Sequence, residues 1–192
     1  MPDDSLTPFS RLAGVLQQLG LPAMLIPASD ESPVEQLLVS IDEATPPDQD
    51  SRYVLQMFFP SDVAEAARLA ASQPPNEDET AILQFMMSLG MQVPPDRQLE
   101  VYRLMSLFNR MLPVGAFDLT EEDVVYLRYA LLADTKTDIT IPQVVEVLEL
   151  LGFFVPHMAP AIAAVLSGEQ TREQAIEATE RVLFEAARLP ED

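Results

Sequence analysis

The stretch PPDRQLEVYRLMSLFNRMLPVGAFDLTEEDVVYLRYALL, Pro94–Leu132, decides the fold class, because two different hydrophobic periods meet within it. In its first half Val101, Leu104, Met105, Phe108, Met111 and Leu112 recur at helical spacing, and Arg97, Glu100, Arg103, Ser106 and Arg110 take the opposite side. That pattern predicts an amphipathic helix over 97–112. Pro113-Val114-Gly115 stops it, because proline lacks the N–H that a continuing helix needs and glycine reaches backbone conformations closed to other residues. Beyond the stop, Ala116–Leu119 and Val124–Leu132 flank Thr120-Glu121-Glu122-Asp123, which reads as two strands around a turn.

Upstream, Phe9, Leu12, Val15, Leu16 and Leu19 form a helical stripe between a Thr7-Pro8 start and a Gly20 stop. Ala23–Ile26 and Gln36–Ile41 read as strands joined through the turn-forming 27–33, and Arg52–Phe59 as a third strand after a loop at 45–50. Alanine-rich Asp62–Ser72 reads as a short helix capped by Ser61. After a polar break at 73–79, Thr80–Val93 suits either a helix or a strand, and its place behind three strands favours a fourth. From Thr140 the pattern is helical: a stripe of Val144, Val145, Leu148 and Leu151, an apolar run Leu150–Leu166 read as a helical hairpin or bent helix, and a last helix over 171–188. The order predicts an α+β fold, an antiparallel sheet of about five to six strands flanked by helices, with extra C-terminal helices. One domain is expected over 1–192, with a core at 8–168 and the helix 171–188 as an addition.

Composition narrows function by exclusion. The 192 residues carry 31 Asp+Glu against 11 Lys+Arg, a formal net charge of -20, so phosphate-backbone binding and anionic membrane surfaces are both disfavoured. Hydrophobic residues at 48% are enough for a core. The lack of cysteine removes disulfides and thiolate chemistry and agrees with a cytoplasmic location. Met1-Pro2-Asp3-Asp4-Ser5 is acidic and unlike an export signal, and the uncharged run 150–166 is short of a bilayer span and broken by Pro156 and Pro160. The expectation is therefore no nucleic acid and no membrane.

Catalytic and metal signatures are missing from the sequence: there is no phosphate loop, no nucleophile elbow and no paired-histidine zinc motif. His157, the single histidine, reads as structural. Asp134-x-Lys136-x-Asp138 is a poor calcium loop, with Ile139 where glycine belongs and Val145 where the closing glutamate belongs. The runs Glu77-Asp78-Glu79 and Glu121-Glu122-Asp123 read as solvated turns. No catalytic residue, cofactor or metal is expected. The alternative is a hydrolase using carboxylates in a cleft of the α+β domain.

Two features point to binding instead. Met86, Met87, Met91, Met105 and Met111 cluster mid-chain, where core filling is the heavier reading and an adaptable surface the lighter one. On the helix 97–112, Leu99, Tyr102 and Leu107 fall beside the main stripe, so the apolar face is wider than one sheet needs. Together with Met105 they make the candidate interface Leu99, Tyr102, Met105 and Leu107.

Leu107-Phe108-Asn109-Arg110-Met111-Leu112-Pro113-Val114-Gly115-Ala116-Phe117-Asp118-Leu119, followed by Val124–Tyr129, resembles the YbjN-like proteins, whose domain is similar to the type III secretion chaperone fold. A resemblance to a family of cyanobacterial proteins accompanies it. The resemblance spans roughly 8–168 and rests on structural residues, Asn109, Pro113, Gly115 and Phe117. It implies a small α+β module, often dimeric, that binds protein segments. Asn109 is expected to bond the carbonyls at the helix end and Gly115 to supply a positive φ. The resulting expectation is a chaperone-like or regulatory protein-binding module, forming a homodimer or holding an extended partner segment, with the acidic charge steering basic partners.

Overall fold

The computed structural model describes residues 7–29, 32–41, 53–72, 81–136 and 139–186. The expected loop 45–50, the break 73–79, the acidic N-terminus, Arg52, Thr80, Asp138 and residues 187–188 lie outside them. The elements run α1 (Pro8–Gln18), β1 (Ala23–Ile26), β2 (Gln36–Ser40), β3 (Val54–Phe58), α2 (Pro60–Ala70), β4 (Ala81–Gln92), α3 (Gln98–Met111), β5 (Ala116–Leu119), β6 (Val124–Ala133), α4 (Ile141–Ser167) and α5 (Arg172–Ala186). The strands form one open six-stranded sheet in the order β1-β2-β3-β4-β6-β5, and the fold is α+β.

Contacts cluster into two compact units, Met1–Met87 with Arg128–Leu148, and Ser88–Leu127 with Glu149–Asp192. In the first unit, strict alternation along β2 to β4 buries Leu37, Val39, Leu55, Met57, Ala81, Leu83, Phe85 and Met87 on one face. The antiparallel register puts Leu37 opposite Met57 and Met57 opposite Phe85, so these side chains form one continuous layer. Helix α1 adds Phe9, Leu12, Ala13 and Leu16 to this core and packs on β1 and β2. Thr7 caps α1 by accepting from the Ser10 amide at 3.1 Å, as its sequence start predicts. Its other end differs: Leu19 is exposed. The opposite sheet face carries uncharged Met24, Leu38, Gln56 and Met86 in register, all half-exposed.

The long segment 80–93 is the strand β4, and its every-second-residue burial shows why. Helix α2 starts one residue earlier than the expected cap: Pro60 takes its first turn, Phe59 is the cap residue, and Ser61 lies inside the helix.

In the second unit α3 buries Val101, Leu104, Met105 and Phe108, the stripe read from the sequence. It packs on β5 and α5. Asp123, at φ 60°, closes the turn between β5 and β6, where the Thr120 amide donates to the Val124 carbonyl at 3.0 Å. Thr171 and Gln174 cap α5 reciprocally: the Thr171 amide donates to Gln174 Oε1 at 2.9 Å and the Gln174 amide to Thr171 Oγ1 at 3.3 Å.

Helix α4 excludes the hairpin, one of the two forms expected for 150–166. It is a single 27-residue helix containing Pro156 and Pro160, rather than a hairpin. Val144, Leu148, Leu151, Val155, Met158, Ile162 and Val165 are buried along it at alternating steps of four and three. That stripe keeps one side of the helix in protein along its whole length, which outweighs the two hydrogen bonds that the prolines forfeit. By length and composition alone α4 could cross a membrane, and 39% of its most apolar window is buried in the protein.

Candidate functional site

The two sides of α3 behave differently. Leu99 is 61% and Tyr102 47% exposed, Leu107 is half-buried, and Met105 is only 2% exposed. Met105 therefore leaves the candidate interface: it lies one position after Leu104, on the side of the helix that turns into the core. Leu99, Tyr102 and Leu107 stay on the outer side.

A shallow surface depression is lined by Tyr102, Arg103, Ser106, Leu107, Arg110 and, from α5, Arg172. Half of these residues are arginines and none is a carboxylate, in a chain with 31 Asp+Glu and 11 Lys+Arg. Glu100 borders the depression and holds two of the cations, with Arg103 at 3.3 Å and Arg172 at 3.8 Å. Arg172 also pairs with Glu173, so two carboxylates meet these two guanidinium groups, each of which has five N–H groups in a planar fork. The depression thus gathers three arginines, with Glu100 and Glu173 paired at its border. Arg172 stands far from α3 in sequence, so helical periodicity within α3 contains no sign of it.

Glu173, in the first turn of α5, is held below the usual carboxylate range, first by a bond from its own backbone amide and then by the Arg172 guanidinium. A depressed folded value means the stabilisation is present above the ordinary carboxylate range and is lost as pH falls through the folded value. An NMR titration of the Glu173 carboxyl carbon is expected to show a midpoint below that of a model glutamate. A midpoint at or above it contradicts the bonding described.

The four residues of the structural motif are placed at the exit of α3. Gly115 has φ 78°, as expected. Phe117 is buried and Pro113 exposed. Asn109 has a different role from the expected helix-end bond. Its Nδ2 donates to the Phe117 carbonyl at 3.0 Å and its Oδ1 accepts from the Phe117 amide at 2.7 Å. The side-chain amide thus pairs with the strand backbone as another peptide unit would. Asp118 Oδ1 in turn accepts from the Leu119 amide at 2.9 Å.

His157 is occupied structurally. Its Nδ1 lies 2.6 Å from the Phe153 carbonyl, which can only accept, so this nitrogen carries the proton. Lys136, from the weak calcium-like motif, pairs with Asp62. Among the described residues no three His, Asp or Glu side chains are grouped to hold a metal ion.

The chain matches no curated protein. The family match is narrower than the expected 8–168, yet it takes in β4, α3, the β5–β6 hairpin and the start of α4. Residues 73–150 match the YbjN family, described as a putative bacterial sensory transduction regulator.

Proposed function

We propose that this chain is a cytoplasmic regulatory module, chaperone-like in its mode of action, that works through protein–protein contact at the outer face of α3. The observation that carries the reading is an exposed Tyr102 and Leu99 beside Arg103, Arg110 and Arg172, on a helix whose other side is wholly buried. Tyrosine and arginine dominate binding energy where they are clustered, since each offers large contact area together with directional hydrogen bonds. Arginine donors in that arrangement suit an acidic segment that also brings an apolar side chain to Tyr102 and Leu107. The chain itself is rich in such segments, so a second copy is the partner proposed. The description of the matched family as a regulator supports the coarser part of this reading.

The test is light scattering on the wild type and on Tyr102→Glu and Leu107→Glu across a concentration series. Wild type is expected at twice the 21.2 kDa chain mass. Tyr102→Glu is expected to weaken self-association at least tenfold, roughly 1.4 kcal/mol, with an unchanged far-ultraviolet spectrum. Variants that keep both fold and native mass rule out α3 as the contact between copies. Added salt is expected to weaken the wild-type dimer as well, because guanidinium–carboxylate pairs at a surface are screened.

A further inference from the structure

A second concavity belongs to the first compact unit and plays no part in the α3 reading. It is a cavity of about 240 Å³ beside α1, floored by Phe9, Leu12, Phe59, Leu83 and Val144, all of them buried. Protein interiors are packed to crystal density and seldom leave voids larger than a water molecule. An apolar cavity of roughly 150 Å³ already admits benzene, so this one has room for a ring with a short tail or for a medium-length acyl chain.

Its charged lining differs from the composition of the chain. Among the residues lining it are two cations, Arg11 and Lys136, and no carboxylate, although the chain has 31 Asp+Glu and only 11 Lys+Arg. Lys136 is held in place from two sides. Its ammonium lies 5.0 Å from the centre of the Phe59 ring and pairs with Asp62. Phe59 in turn stacks on Phe9 with centroids 5.0 Å apart. The Lys136 ammonium, ion-paired with Asp62, therefore stands against an aromatic wall over an apolar floor. Ligand sites are typically built this way, with apolar lining for affinity and a few placed polar groups for orientation.

The geometry points to this cavity as a binding site for a small amphipathic monoanion, an aromatic or medium-chain carboxylate whose apolar part enters between Phe9, Leu83 and Val144 and whose carboxylate meets Lys136 and Arg11. The apolar part gains by leaving water, and the carboxylate gains two charge-assisted donors. The same volume with a neutral or cationic head group lacks the second gain.

The experiment is titration of the full chain with phenylpropionate and octanoate, and with neutral phenylpropanamide and cationic phenylpropylamine as controls, followed by calorimetry and methyl NMR. Both carboxylates are expected to saturate one site, at least about tenfold more tightly than the amide or the amine, with shifts at the Leu83 and Val144 methyls. Lys136→Gln and Arg11→Gln are each expected to weaken carboxylate binding about fivefold or more. Val144→Phe fills the cavity and is expected to abolish binding while the helical and strand signal is retained. If that variant does not fold, Leu12→Phe serves the same purpose from α1. No saturation by either carboxylate at roughly 10 mM, equal affinity for the amine, or wild-type affinity in a folded cavity-filled variant overturns the assignment.

Discussion

Phe108→Ala is expected to lower stability by about 3–5 kcal/mol, the cost of emptying a large, fully buried aromatic site. Phe108 is at 0% exposure in the middle of α3, on the side shared with Val101, Leu104 and Met105. Removing the ring takes its apolar area from the core and leaves a cavity that α3, tied to β5 through Asn109 one residue later, has little freedom to close. The measurement is urea unfolding followed by circular dichroism. Tyr102→Ala, six residues earlier on the exposed side, is expected to change stability by only about 0.5 kcal/mol or less. A Phe108→Ala loss below about 1 kcal/mol, or equal losses for the two variants, means that the two sides of α3 are not divided as described.

Asn109→Leu conserves approximate volume and removes both hydrogen-bonding groups at once. The Phe117 amide and carbonyl, paired at 2.7 Å and 3.0 Å, would each lose a partner in a half-buried place. Unsatisfied buried groups cost about 1–3 kcal/mol each, and partial solvent access reduces that, so the expected total is about 2–3 kcal/mol. Asn109→Asp separates the two bonds. A carboxylate still accepts from the Phe117 amide but has no hydrogen to give the Phe117 carbonyl, and two oxygens then face each other. Asp is thus expected to be destabilising at neutral pH and less so in acid, where a protonated carboxyl donates again. Hydrogen exchange at the Phe117 amide reads the same bond directly. Unchanged exchange in Asn109→Leu would show that the bracket between α3 and β5 contributes nothing.

Much of this was legible in the residues. The strand β4 is favoured by its place behind three strands, and not by alternation, because apolar Ile82 and Met86 sit between the buried Ala81, Leu83, Phe85 and Met87. The α3 stripe marks its inner side at period 3.6. What escaped came from residues that act across the local period. Met105 reads both as part of the stripe and as part of the interface, and only the helix orientation separates the two. Asn109 reaches eight residues ahead to a strand, which no helical pattern encodes. Prolines 156 and 160 suggest an interruption of α4, yet a buried stripe spanning the whole helix holds it together. The arginine-lined depression needs Arg172 from α5, and the cavity draws on α1, β4 and the segment leading into α4, so both are properties of the tertiary fold.

The edges of the sheet remain. An open sheet ends in strands with unpaired backbone groups, an invitation to add a further strand from another molecule. Here β5, one border strand, has its Phe117 amide and carbonyl taken by Asn109 and its Leu119 amide by Asp118. At β1, the other border, the Ala23 carbonyl accepts from Gln17 Nε2 at 2.8 Å. Side chains thus fill places where an incoming strand would dock, and growth into fibrils meets a competitor that is always present at the site. An extended peptide would have to displace Asn109 before it could pair with β5, whereas a partner arriving at α3 meets no backbone bond already taken.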